Sequence, residues 1–334
     1  MKNKILILKN DRTGDLFVSL KTINRILNKH SNDEIEIILS PVNYKFNFLF
    51  KNIKFNIYNM KLNFFEKLRL TYYIFNNNFD IIYILSPKNF FYYLPIIFRK
   101  IKFFGITIKS KTNRPNNFLK KYLYKYVELD RINIKKRLSS YNIQENLIEL
   151  NEVKDCLNLN SKLTHNFSYP DKFCVFHYKH SLFSDLLNWS LNDICNLIDF
   201  LHNKCGNILF SSEINNKNLN NFFSERFNTF DFDTKKEYYI NKKSIIFLKN
   251  IDGYDLFDLI NKSTKVISPE GIMTHISYFL KKDVLALIHF KLKNKQDFIN
   301  QIISCKEWFP PDNYKFSVLK KDFKSTLKKL EKRI

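Results

Sequence analysis

Apolar residues fall along this chain in short continuous runs, separated by stretches in which they recur every three or four positions. Lys4 to Lys9 (KILILK), Glu34 to Leu39, Ile53 to Tyr58, Phe79 to Leu85 and Ile101 to Thr107 are runs of the first kind. Such runs predict strands buried on both faces, as in a parallel sheet. Leu16 to Asn28 places Leu16, Leu20, Ile23 and Leu27 on one helical face. Leu62 to Asn76, Phe90 to Arg99 and Asn117 to Val127 are also read as helices. Alternation of this kind is the pattern of a doubly wound parallel α/β sheet. The aromatic stretch Phe90 to Phe98, set between two strands, reads as core, or as a membrane-facing or acceptor surface.

From Ser139 to Pro170 the pattern loosens into polar, Asn-rich sequence, with one helix near Ile143 to Val153 and a linker ending at Ser168-Tyr169-Pro170. Phe173 to Phe176 then opens a second sheet. His177-Tyr178-Lys179-His180-Ser181 is the loop after it, and Leu191 to His202 is a helix capped by Ser190 with Asp193 three residues on. Asn207 to Ser211, Ser244 to Leu248, Lys265 to Ser268 and Asp283 to Ile288 read as further strands. Helices are expected at Asn216 to Phe227, Gly253 to Asn261, Ile272 to Leu280 and Phe323 to Arg333. A chain of 334 residues suits two domains of about 150 residues each. The expected division is residues 1–160 and 171–318, with a closing helix within 319–334 that packs back on the first domain.

Composition adds limits. No apolar run approaches the roughly 18 residues that span a bilayer, and Met1-Lys-Asn-Lys leads straight into a strand with no signal-peptide pattern. The five cysteines (156, 174, 195, 205 and 305) are odd in number and lack CxxC spacing, which fits a reduced cytoplasm and argues against a zinc site. The net charge of +23 calls for an anionic partner such as nucleic acid, a membrane surface or a phosphorylated glycolipid. A/T-biased codons, which favour Lys, Asn, Ile, Phe and Tyr together, account for it equally well. The basic residues are dispersed and accompany no nucleic-acid-binding motif.

Two corners carry candidate chemistry. Strand Lys4 to Lys9 ends in Asn10-Asp11-Arg12-Thr13-Gly14-Asp15, where Asp15 opens a helix. Asp15 reads as an N-cap or as a working carboxylate. In the second half, Lys265 to Ser268 ends in Pro269-Glu270-Gly271, and the helix after it turns the N–H groups of Ile272, Met273, Thr274 and His275 toward the turn. That corner is an anion site suited to a diphosphate, or an ordinary βα turn. His275 adds a donor.

Both corners resemble glycosyltransferase family 9, the heptosyltransferases. ILILKNDRTGDLFVSLKTINRIL is similar to the family's opening strand, Arg-x-Gly-Asp loop and helix. TKVISPEGIMTHISYFLKKDVLALI is similar to its C-terminal signature, with Glu270 where the family usually has Asp and His275 at the family's five-residue spacing. The resemblance implies a GT-B fold, in which two Rossmann-like domains with parallel sheets face a central cleft, and no metal or cofactor. No Asp-x-Asp motif is read at a strand end. By resemblance Asp15 is the catalytic base, Arg12, Thr13 and Gly14 form the acceptor-side loop, and Asn250 and Ile251 meet the nucleotide base. Glu270 to His275 hold the donor diphosphate. The family's phosphate-loop Lys, which stands just before a Trp-Pro, is missing before Trp189; Lys179 or His180 takes its place, or Lys179 is an ordinary loop lysine. The implied activity moves a heptose or related sugar from an ADP-sugar to a lipid-linked acceptor such as lipopolysaccharide core. The expected setting is a monomer in the bacterial cytoplasm, peripheral on the inner face of the membrane, with no nucleic acid bound. Two alternatives stand beside it: an inactive relative that only binds nucleotide or glycan, and a basic nucleic-acid-binding protein.

Overall fold

The computed structural model describes residues 2–110, 118–133, 139–150, 152–159, 167–212, 217–234, 245–290, 299–302, 305, 307–309 and 315–334. The chain divides into two compact units: Met1–Ser161 with Asn294–Pro311, and Lys162–Lys293 with Asp312–Ile334.

The first unit holds six strands: β1 (Lys4–Lys9), β2 (Glu34–Leu39), β3 (Lys54–Ile57), β4 (Ile81–Ile84), β5 (Lys102–Lys109) and β6 (Lys125–Asp130). Their order is β3-β2-β1-β4-β5-β6, and every pair is parallel. The apolar runs explain the centre of this sheet. Ile5 to Leu8 on β1 and Ile82 to Ile84 on β4 are wholly buried, because helices cover both faces. α1 (Thr13–Lys29) buries Leu16, Leu20, Ile23 and Leu27 together with Phe17, Val18 and Ile26. After the turn α2 (Pro41–Tyr44), α3 (Phe64–Asn77) starts in a capping box between Asn63 and Glu66 and stops at Asn78, which takes a left-handed conformation. The order reverses between β1 and β4, because β1 leads to β2 on one side and β4 to β5 on the other. The carboxyl ends of β1 and β4 therefore flank the crevice where doubly wound sheets bind ligands.

The second unit holds seven strands: β7 (Phe173–Tyr178), β8 (Asn207–Ser212), β9 (Asn228–Asp231), β10 (Ile245–Lys249), β11 (Lys265–Pro269), β12 (Asp283–Ile288) and β13 (Lys315–Val318). They run in the order β13-β12-β11-β7-β8-β10-β9, again all parallel. Here the reversal lies between β7 and β11. Helix Leu191–Cys205 begins in the expected capping box of Ser190 and Asp193.

Several expectations change. Phe90 to Arg99 is a 3-10 turn (Asn89–Tyr93) followed by one short helix, α4 (Leu94–Ile97), with Pro95 in its first turn. Phe91, Tyr92 and Leu94 from this stretch are core. Within Asn117 to Val127, residue 117 lies outside the described residues; Phe118 and Leu119 are helical, and the rest gives a 3-10 turn and the start of β6. β6 is an outer, half-buried strand, so its aromatic and charged residues hide the strand period. The helix expected at Ile143 to Val153 is Ser140–Glu145. β9 and β13, both edge strands, were not expected. Residues 294–311 return to the first unit, where Glu307 accepts from the Arg131 guanidinium at 2.8 and 2.5 Å. The closing helix Phe323–Glu331 belongs to the second unit, not the first. Leu330 is fully buried in that unit's core, Phe323 packs edge-on against Trp189, and the Trp189 indole N–H donates to Lys321 O at 3.0 Å.

Candidate functional site

At the end of β1 the chain turns polar while still buried. Lys9 is 1% exposed. Its ammonium meets Asp11 Oδ2 at 2.9 Å and donates to Leu85 O at 3.2 Å. Asn10 is fully buried and donates to Asn59 O at 2.9 Å. Lys88, just past β4, donates to Asn10 O at 2.7 Å, to Asn10 Oδ1 at 2.8 Å and to Met60 O. Burial pulls the Lys88 ammonium down to about 8, with the Asp11 carboxylate opposing and the Lys9 charge assisting.

Asp15 sits in the first turn of α1 but does not cap it. The N-cap is Arg12, whose side chain makes no capping bond. Burial raises the Asp15 carboxyl above its ordinary value of 3.8; Lys9 and Arg12 pull it down and Asp11 pushes it up. An N–H from Arg12 bonds its carboxylate. Past the carboxyl ends of β1, β2 and β4, Asp11 Oδ1, Asn43 Oδ1 and Ser86 Oγ are buried with no hydrogen-bond partner among the described residues. Buried polar atoms are ordinarily paired, so these three, along the edge of the sheet where β1, β2 and β4 end, mark a place for a polar ligand or water. Arg12, Thr13 and Gly14 form the N-terminal end of α1 as expected, with Arg12 exposed. Sequence reasoning missed Lys9, Asn10, Asp11 and Lys88. Their signal was a lysine ending an otherwise apolar strand and a second lysine just past the end of β4.

In the second unit, β7 and β11 are neighbours in register Ile267↔Phe176, which brings the segments after both strands to one edge of the sheet. Lys179 follows β7 and, among the described residues, its ammonium has no ion-pair partner. Its carbonyl accepts from the N–H groups of Leu182 and Phe183. His177, expected in the loop, is the penultimate residue of β7; burial, then the Lys179 charge, lowers it to about 4, and Nδ1 lies 2.9 Å from Ser211 Oγ. His180 is tied down locally, with Nδ1 3.2 Å from the Tyr178 hydroxyl and Nε2 3.4 Å from Asp185, at the head of a π-helical turn, Ser181–Leu186. Lys179 is therefore the better placed of the two.

After β11, Gly271 precedes helix Ile272–Phe279. A Cβ there would meet no heavy atom within 4 Å, so the space beside it is open. The expectation that Ile272 to His275 all offer N–H groups is too generous. Those of Thr274 and His275 donate to Gly271 O at 3.1 and 3.3 Å. Among the described residues, only Ile272 and Met273 in this set keep N–H groups without a partner. Burial lowers His275 to about 4, so the ring is neutral at pH 7, with Nε2 4.0 Å from Glu270 Oε1. Asn250 follows β10 in a left-handed conformation, φ 52°, and its amide donates to Asp231 Oδ1 at 2.8 Å; Ile251 is buried beside it. β10 lies three strand spacings from β11, roughly 14 Å along the sheet edge.

One expectation needs correcting. Asp231-Phe232-Asp233 is an Asp-x-Asp at the end of β9, a strand that the apolar pattern did not reveal. Asp231 Oδ1 accepts from the Asn250 amide and from Asp233 N–H at 3.1 Å. Among the described residues, no cluster of three or more His, Cys, Asp or Glu could hold a metal ion. No helix among them is long and apolar enough to cross a membrane.

The two parallel sheets give the chain the GT-B fold, and solved structures match it along nearly its whole length. A family 9 glycosyl transferase from Veillonella parvula DSM 2008 is 13% identical with a TM-score of 0.64, covering 99% of this chain and 90% of its own. The E. coli heptosyltransferase WaaC with ADP-2-deoxy-2-fluoro heptose is 9% identical with a TM-score of 0.65, covering 99% of both. UDP-GlcNAc 2-epimerase from Methanocaldococcus jannaschii is 12% identical with a TM-score of 0.53, covering 98% and 92%. No family model matches the sequence, and no curated protein matches it.

Proposed function

We propose that this chain is a glycosyltransferase that moves a heptose or related sugar from an ADP-sugar to a lipid-linked saccharide, of which lipopolysaccharide core is one example. It works without a bound metal, in the cytoplasm. The carrying observation is Asp15, a first-turn carboxylate that is not the N-cap of its helix, feels the charges of Lys9, Asp11 and Arg12, and is pushed up by burial. A raised carboxyl is a better base near neutral pH than an ordinary one. In this reading Asp15 takes the proton of the acceptor hydroxyl as its oxygen attacks the anomeric carbon. The bond from that carbon to the diphosphate oxygen breaks, and the electron pair leaves with the nucleoside diphosphate. The N–H groups of Ile272 and Met273 and the Lys179 ammonium meet that charge, and fixed donors of this kind stabilise a leaving anion at no reorganisation cost. The structural likeness to a heptosyltransferase solved with an ADP-sugar analogue supports the choice of donor class.

Asp15→Asn tests the reading. Turnover of ADP-sugar with a saccharide acceptor is expected to fall at least about 100-fold, with ADP-sugar binding retained. Unchanged turnover would remove Asp15 from the mechanism. Loss of ADP-sugar without any acceptor would favour epimerase-like chemistry, and binding with no turnover in the parent protein would favour an inactive relative.

A further inference from the structure

α3 has two apolar faces. Leu70 and Ile74 point into the sheet-covering core. Phe64, Phe65, Leu68, Tyr72 and Phe75 point the other way and are 52 to 78% exposed. At 100° per residue these five fall within an arc of about 100°, opposite the buried pair. No charged residue of the helix lies in that arc. A surface helix ordinarily places its charged residues there. The face continues beyond α3, because Phe75 and Ile97, the latter 56% exposed, line one groove of about 1000 Å³. Arg99, Lys100 and Lys102 line the same groove, and Lys61 and Arg69 are exposed beside the helix. The acidic groups nearby are engaged: Glu66 by the backbone of Asn63 and the side chain of Asn59, Asp80 by Lys4 N–H.

We infer that this face is a docking surface for an anionic lipid bilayer, with α3 lying in the interface. An uncharged aromatic and aliphatic stripe rimmed by cations is the pattern of a helix that sinks one side into the headgroup region. The cations and the net charge of +23 supply attraction to anionic lipid. The inference goes beyond the proposed transfer reaction and does not depend on it, since the test requires no turnover.

The full chain is sedimented with vesicles of phosphatidylcholine alone or mixed with phosphatidylglycerol. Binding is expected on the mixed vesicles and is expected to be much weaker on the neutral ones. Combining Phe65→Ser, Leu68→Ser and Phe75→Ser changes only exposed positions and should lower partition at least about tenfold. Arg99→Gln and Lys100→Gln should each cost about fivefold on the anionic vesicles. A Phe65→Trp variant should shift its emission to the blue when vesicles are added. No binding to the mixed vesicles overturns the inference. Equal binding by the triple variant overturns it too, leaving only diffuse lysine attraction. Self-association that the triple variant abolishes, with no vesicle binding by either, would make the face a contact between copies of this chain.

Discussion

An aspartate in the first turn of a helix is ordinarily explained by the helix, and removing it costs stability. Asp15 predicts the opposite. Its folded carboxyl is raised above 3.8, so the folded state holds the proton more tightly than the unfolded chain. The stability this contributes is complete below the unfolded value and is lost as pH rises through the folded one. Asp15→Asn has no proton to lose there. At pH 7 its melting temperature should equal or exceed that of the parent, and the gap should close below pH 4. A cap would give a lower melting temperature for the variant at pH 7. In activity, the acid limb of the pH–rate profile should lie above the ordinary aspartate range. His275 has the reverse sign. Burial lowers it from 6.5 to about 4, so the unfolded chain takes up its proton first. Stability is therefore lost as pH falls from 6.5 toward 4, by about 3 kcal/mol from this residue. His177, also lowered to about 4, acts in the same sense. Denaturant titrations of His275→Gln across that range should give a visibly flatter curve than the parent.

At the scale of elements, the closing helix Phe323–Glu331 is the sharpest difference between pattern and structure. Its amphipathic period states that one face is buried. It does not state against what, and the partner proves to be the core around Trp189 in its own unit. Leu330→Ala should therefore cost about 2–5 kcal/mol, read as an earlier urea midpoint for the second unit's transition. A loss confined to the first unit would contradict the packing. The same reasoning explains what else was legible. β1, β4, β7 and β11 are apolar on both faces because helices cover them, and the runs stand out. β6, β9 and β13 are outer strands of four to six residues with half-buried patterns, and the polar residues interspersed in them (KYVELD, NTFD and KFSV) leave no apolar run to read. The strand-turn-helix corners were visible as segments. Their electrostatics were not: Lys9 and Asp11 stand on the same corner as Asp15, but Lys88 reaches it only through the pairing of β1 with β4, a property of residues far apart in the chain. Arg12 replaces Asp15 as the N-cap for a local reason that residue type alone does not reveal: the helix starts three residues earlier than its apolar period indicates.

At the scale of the whole molecule, the function proposed here requires that the second unit bind a nucleoside diphosphate by the helix after β11, and one substitution isolates that requirement. Ile272 is the first residue of the helix, and its N–H is one of the two in the first turn that have no partner among the described residues. Proline is well tolerated at a first helical position, where the N–H makes no bond within the helix. The Ile272 side chain is only half-buried, so little packing is lost. Ile272→Pro should leave the melting temperature of the unliganded protein close to that of the parent. It removes a donor to a charged group, worth about 1.5–3 kcal/mol, so the Kd for ADP should rise by roughly 10- to 150-fold. Adenosine, which has no diphosphate, should bind the variant and the parent alike. Thermal-shift titrations read both quantities, because a ligand at about 100 times its Kd stabilises by roughly 2.7 kcal/mol. An equal loss for adenosine would mean that the substitution distorted the pocket. ADP binding untouched by Ile272→Pro but weakened by Lys179→Gln would move the diphosphate from the helix to the loop after β7. ADP binding untouched by either substitution would remove the nucleotide from this edge of the sheet, and the proposed donor site with it.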